Sequence, residues 1–361
     1  MNRMISFSSS IVLLCLIFFS HVVYAQNPST QAYENLLQHR EGFGRNVTGG
    51  AGGKLIVLDS LDYEKFKQAV ESDAPTWIRF KEGLKGSIEV KGHLYIGSHT
   101  TIDGRGADIT LTSPGDCDEI RFWKLNKDWK KIPEKRNLIV HNIKIHKVGT
   151  GDDCGQGLGI AWGAKDVWVD HVTFSWNGDE SFSVGKGASD ITLSWNKFTD
   201  TNKAILLSWD GPKDEEIDRN MRVTIHHNYF LRVKGRSPQA RSGKVHFYNN
   251  YLTHWGWLAV RMAQGGKLVS ENNVFGMGRS SSSPPAFKSL PNEYSPKRGY
   301  ISSRNDVFLD KKKSKQVKGE LVSIEQTFDP RSFYDYQLFT PSLKLVNILQ
   351  KKAGWSPNPQ W

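Results

Sequence analysis

Arg236 and Arg241 stand five residues apart in the run Gly235-Arg236-Ser237-Pro238-Gln239-Ala240-Arg241. Guanidinium forks suit the gripping of carboxylates. Arginine is by default a poor base, since it stays protonated to at least about pH 12, so proton removal by either residue would need neighbours that disfavour its charged form. Asp170-His171 closes an apolar run that starts at Val167. There the histidine reads either as a core group hydrogen-bonded along a stack or as a contact to substrate. Trp162, Trp168, Trp176, Trp195, Trp209, Trp255 and Trp257 are numerous for this length. Aromatic faces suit sugar rings, and several of these must instead pack the interior.

The elements that would position these groups recur. Segments 138–145, 167–174, 191–198, 223–230, 245–252, 268–275 and 301–308 share a β-rich pattern, with starts stepping by 29, 24, 32, 22, 23 and 33 residues. Steps of 22 to 24 suit a coil of three short strands with turns, and the longer steps imply loops inserted on one side of the stack. Within a segment such as Val223-Thr224-Ile225-His226-His227-Asn228-Tyr229-Phe230, apolar and polar residues alternate as in a strand. Asn196, Asn228, Asn250 and Asn273 return at one position, where asparagine tolerates left-handed backbone and bonds its equivalent one coil away. An asparagine ladder at a corner is expected. Residues 60–72 read as a short helix with Ser60 near the cap and Phe66, Ala69 and Val70 on one face, placed to cover the open end of the solenoid. After Phe308 the pattern fades into a charged tail expected to pack along the stack.

Residues 1–25 carry Arg3, an apolar core of about ten residues and Val23-Tyr24-Ala25, which fits a secretory signal and is too short for a membrane span. The remaining 26–361 are expected to form one domain, secreted and without a membrane anchor. Cleavage removes Cys15 and leaves Cys117 and Cys154, either as one disulfide or as two buried thiols. Asn46-Val47-Thr48 is a clean N-glycosylation sequon. The formal charge of +11 becomes about +10 without Arg3, so polyanions are the expected partners. Secretion and the lack of a groove-reading motif exclude nucleic acid and favour an acidic polysaccharide. Lys311, Lys312, Lys313 and Lys315 read as a solvated loop.

Several runs resemble the pectate lyase family of polysaccharide lyases: Gly42-Phe43-Gly44, Thr48-Gly49-Gly50 with Gly52-Gly53, Thr101-Ile102-Asp103-Gly104-Arg105-Gly106, Val167-Trp168-Val169-Asp170-His171, and the Arg-x-Pro-x-x-Arg run ending at Arg241. The likeness covers residues 42 to 308. It implies an all-β fold, a right-handed parallel β-helix with a short capping helix, acting as a monomer on acidic pectic polysaccharide by β-elimination. It assigns the base to Arg236 and a carboxylate-binding role to Arg241, and it places a second carboxylate-binding cation at Lys203, 24 residues after Asp179. His171 is a third candidate substrate contact.

The resemblance also implies calcium, which takes six to eight oxygen ligands. Here the family's Asp-Gly-Asp-Ala-Ile run falls on Gln156-Gly157-Leu158-Gly159-Ile160, and a further family acid falls on Ser183. Asp179 and Glu180 are the candidate metal ligands, with Asp152 and Asp153 displaced upstream. Three outcomes stay open: a rebuilt calcium site, a calcium-independent pectin lyase acting on methylated pectin, or a wall-polysaccharide-binding protein without catalysis.

Overall fold

In a computed structural model the described residues are 28–123, 135–151, 153–209, 211–291, 295–310, 312, 317 and 320–361. The expected signal segment 1–25, Asp152, Lys311, Lys313 and Lys315 lie outside them. The chain divides into residues 1–38, which contribute the helix Pro28–Leu37, and residues 39–361.

The second unit is a parallel β-helix. Sheets of ten, nine and eight strands run along one stack, and each coil visits all three, as in Lys165–Asp170, Thr173–Ser175 and Glu180–Val184. The repeat expected from the sequence holds in register: Val167 pairs with Leu138 and Ile191, and the line continues through Val223, Val245, Leu268 and Ile301. Each repeat segment is two strands rather than one. The chain turns between them at His171, Trp195, His227, Asn249 and Asn272, which hold left-handed φ angles of 51° to 54°. The left-handed position therefore sits one residue before each ladder asparagine, not on it.

The ladder forms as expected. Backbone N–H groups of Val172, Asn196, Asn228 and Asn250 donate to the side chains of Asn196, Asn228, Asn250 and Asn273, one coil on, at 2.7 to 2.9 Å. Asp306 ends it by accepting from Asn273 N at 2.8 Å. Inside the stack, Phe174, Phe198 and Phe230 lie face to face at 4.9 and 5.0 Å, close to the spacing of the strands that carry them. Burying each ring contributes about 2 kcal/mol.

The longer repeat steps come, as expected, from loops on one side of the stack, at both ends of strands in the eight-stranded sheet. The loop 147–155 precedes Gln156–Ile160, and the insertion after Ile205–Leu207 carries the helix Gly211–Asp218. These loops border one sheet and leave the other two plain. Cys117 and Cys154 are joined as a disulfide next to the first of them. Asn46 is exposed, as a sequon requires.

The capping helix is Tyr63–Val70, started by Asp62, whose carboxylate accepts from Lys65 N at 3.0 Å; Ser60 lies outside it. Phe66, Ala69 and Val70 bury against the first strands, as the spacing predicts. The C-terminal helix Leu343–Lys352 buries Leu345, Val346 and Leu349 against Trp195, Tyr229, Tyr251 and Val274. Gly44 in the entering segment requires glycine, since a Cβ there would lie 2.5 Å from the Val167 carbonyl oxygen.

Candidate active site

The outer face of the eight-stranded sheet carries one register row from coil to coil: Tyr95, Arg121, Gly159, Ser183, Leu206, Gln239, Arg261 and Lys288. The predicted cations stand at the edge of this row. Lys203 pairs by a parallel bridge with Gly235, which sets Arg236 beside it on the next coil. Gly235 requires glycine because its missing Cβ leaves room for the Trp257 ring, which a Cβ would meet at 2.5 Å. Arg236 has φ +58°, unusual for a side-chain-bearing residue, and its carbonyl accepts from Ile205 N at 2.7 Å.

Both cations contact acids. Lys203 pairs with Asp179, and Arg236 pairs with the fully buried Glu180. Burial, and then the Asp179 charge, push the Glu180 carboxyl well above the usual carboxylate range while Arg236 pulls against them. Arg241 is nearly buried, and its Nη1 donates to the carbonyl oxygens of Ser208, at 3.1 Å, and Trp209. It therefore anchors the insertion that borders the sheet. Trp209 lies against Gly185 and reaches Trp123 edge-on at 6.1 Å, and Arg121 covers the Trp123 ring at 4.4 Å. Arg121, Trp123, Arg261 and Lys288 were not singled out from the sequence, because nothing local in a strand marks which face meets solvent.

His171 is not part of this group. It is fully buried beyond the ten-stranded sheet, where its Nδ1 bonds Asp170 at 2.6 Å and its Nε2 reaches the Gln360 carbonyl at 3.1 Å. The core reading of this histidine is the one the geometry favours. Trp168, Trp195 and Trp255 are buried packing, whereas Trp176 and Trp257 are 58% and 49% exposed.

The sequence profile of the pectate lyase family matches residues 40–354. The chain belongs to the pectate lyase family. It is 32% identical over 259 residues to probable pectate lyase 6 of Arabidopsis thaliana, a match covering 65% of this chain and 53% of that protein. The curated relatives are thus matched over less than two thirds of their length. Among solved structures, the major allergen of cedar pollen superposes with a TM-score of 0.73 at 24% identity, covering 92% of this chain and 97% of that one. A pectate lyase of a Bacillus species, solved with trigalacturonate, superposes with a TM-score of 0.64 at 23% identity, covering 87% and 98%.

Pectate lyases are generally calcium-dependent, and the residues present here do not fit a calcium cage. Leu158 points into the core. Ser183 donates to Gln156, so two further expected positions are neutral and bonded to one another. The two remaining acids, Asp179 and Glu180, are taken up by Lys203 and Arg236. Among the described residues the one grouping of three potential ligand side chains is His141, Asp170 and His171, buried beyond the ten-stranded sheet. A hard cation wants six to eight oxygens, and this set supplies too few.

Proposed function

We propose that the chain is a secreted lyase that cleaves de-esterified homogalacturonan by β-elimination, with Arg236 as base. The observation that carries this reading is the placing of Lys203 and Arg236 on adjacent coils at the edge of an open sheet face bordered by loops. A substrate carboxylate beside C5 sits against Lys203, which stabilises the charge that grows there as the proton leaves. The C5–H bond breaks toward Arg236, the electron pair forms the C4–C5 double bond, and the C4–O bond breaks. The leaving oxygen ends with a proton and Arg236 returns its own to solvent, so no further reagent is consumed.

Lys203 works toward the neutral form of Arg236 that this step needs. Glu180 works against it while ionised, and its burial and the Asp179 charge both push it toward holding the proton itself. Arg241 holds the loop that borders the reacting groups. The neutral Gln156–Ser183 pair also favours a second reading, a lyase that accepts methylated pectin. Secretion is supported by the Cys117–Cys154 bridge together with the apolar start of the chain. No described helix is long and apolar enough to cross a membrane.

The test is absorbance of unsaturated product from polygalacturonate and from methylated pectin, each with calcium or with chelator. Product from polygalacturonate in chelator is expected. Product that appears only with calcium would contradict the reading of the acids, and binding without product on either substrate would make the chain a binding protein.

A further inference from the structure

Beside the reacting groups lies a hollow of about 280 Å³, lined among others by Lys147, Trp176, Asn202, Arg232, Lys234 and Arg279. Its size is at the small end for ligand sites and suits one sugar unit. Its wall is built by the coil repeat. Lys147, Trp176, Asp200 and Arg232 each follow a strand of the nine-stranded sheet and each hold a left-handed φ, of 53° to 56°. They are the same position in four successive coils, so their side chains leave the stack about 4.8 Å apart. Lys147 N donates to Ser175 O and Asp200 N to Leu231 O, which locks the column.

Arg232 is tied to Asp200 by two hydrogen bonds of 2.5 and 2.7 Å. No described acid pairs with Lys147, Lys234 or Arg279, all of them exposed. The hollow is therefore a concave site with three uncommitted cations around a 58% exposed tryptophan. It adjoins the reacting groups on the same coils: Gly178 of the hollow precedes Asp179, Asn202 precedes Lys203, and Lys234 lies two residues before Arg236.

We propose that this hollow is a subsite for a carboxylate-bearing sugar, with the ring on Trp176 and the carboxylate between Lys234 and Arg279, beside the unit that reacts. A sugar face needs an aromatic platform and a uronate needs unpaired donors, and the hollow offers both at one place. The inference deepens the lyase reading by assigning a second uronate, and it rests on that reading only for the catalytic arm of its test.

The test measures calorimetric binding of saturated hexagalacturonate to the full chain, and KM and kcat on polygalacturonate. The double variant Lys234→Ala/Arg279→Ala is expected to weaken binding and raise KM by at least about tenfold, with kcat within about twofold. Trp176→Ala is expected to weaken binding about threefold toward charged and methylated oligomers alike. The matched control is Lys244→Ala/Lys267→Ala, which removes two charges from adjacent strands of the ten-stranded sheet. Equal losses in both double variants would mean general attraction to a basic surface and would overturn the subsite, as would unchanged binding in the first. A wild type that binds but forms no product would reject the lyase reading and leave the binding comparison able to decide the hollow.

Discussion

Two faces of this solenoid carry in-register rows rich in polar side chains, and only one of them is covered by the C-terminal tail. On the ten-stranded sheet the row is Asp103, His141, Asp170, Ser194, His226, Tyr248, Glu271 and Arg304. On the eight-stranded sheet it is Tyr95, Arg121, Gly159, Ser183, Leu206, Gln239, Arg261 and Lys288. The strand spacing puts neighbours of either row within reach of each other. The first row is covered by the C-terminal tail: Tyr336 bonds Glu271 at 2.5 Å, Trp361 stacks on His141 at 5.6 Å, and Tyr334 bonds His246, two residues before Tyr248 on the same strand, at 2.6 Å. Covered, the row has to satisfy itself, as when Asp170 takes hydrogen bonds from His141, His171 and Ser194. On the other row Tyr95, Arg121, Arg261 and Lys288 stay partly exposed, while Gly159, Ser183, Leu206 and Gln239 are buried. The same repeat thus makes a fastening on one side and a site on the other, and cover decides which.

The sharpest break between the two faces is a pair of substitutions. Arg236→Lys is expected to cut turnover by about 10² to 10⁴, the share of a general base, with the melting temperature held. Asp170→Ala is expected to do the reverse. Removing a buried carboxylate that takes three hydrogen bonds costs about 3 kcal/mol of stability, while kcat per folded molecule stays within about twofold. An Asp170→Ala protein that keeps its melting temperature but loses turnover would show the covered row taking part in the chemistry. An Arg236→Lys protein with full turnover would remove the base.

A smaller effect separates the faces by pH. Burial lowers the covered histidines, His226 to about 3 and His227 well below the usual value, with His141 and His246 lowered in the same way. Each binds a proton more readily unfolded than folded, so stability is lost as pH falls below about 6.5, the ordinary histidine value. Thermal unfolding followed from pH 8 to pH 4 is expected to show the midpoint dropping steadily through that window. A flat profile would mean that the covered row opens to solvent.

How much of this is legible in the sequence follows from where the signals are written. The coil repeat is legible because the residues before each bend must alternate for a half-buried strand and the ladder asparagine must recur; 191–198 and 223–230 announce both. The bend itself is not, since Trp195 and His227 hold left-handed backbone without the glycine that would advertise it. Arg236 and Lys203 are reachable through motif and spacing. His171 is ambiguous because a histidine beside an aspartate looks the same under a tail as in a cleft, and the cover comes from Gln360, 189 residues away. Trp176 is one of the tryptophans that the sequence offers for a sugar face, but the cations around it are hidden for the opposite reason: Lys147, Arg232, Lys234 and Arg279 form a group only once the coils stack.

The smallest effect concerns the end of the asparagine ladder, where a carboxylate stands in an amide position. Asp306 Oδ1 accepts from Asn273 N and Nδ2, and Oδ2 accepts from the Ser303 hydroxyl. These bonds favour the charged form, yet burial outweighs them and raises the carboxyl to about 6. A raised acid contributes stability that is full below its unfolded value near 4 and is lost as pH rises through about 6, so at neutral pH the ladder ends on a group that resists its own charge. Asp306→Asn keeps the acceptor oxygen for Asn273 and turns the second atom into a donor that the Ser303 hydroxyl can accept. It is expected to stabilise the chain by about 1 kcal/mol at pH 8 and to change nothing at pH 4, measured by denaturant unfolding at both values. The effect belongs to the corner and not to either face, so turnover at pH 8 is expected to stay at the wild-type value. A loss of stability at pH 8 would mean that the hydrogen bonds to the carboxylate outweigh its burial, and that charge as well as cover sets what a stacked polar row can hold.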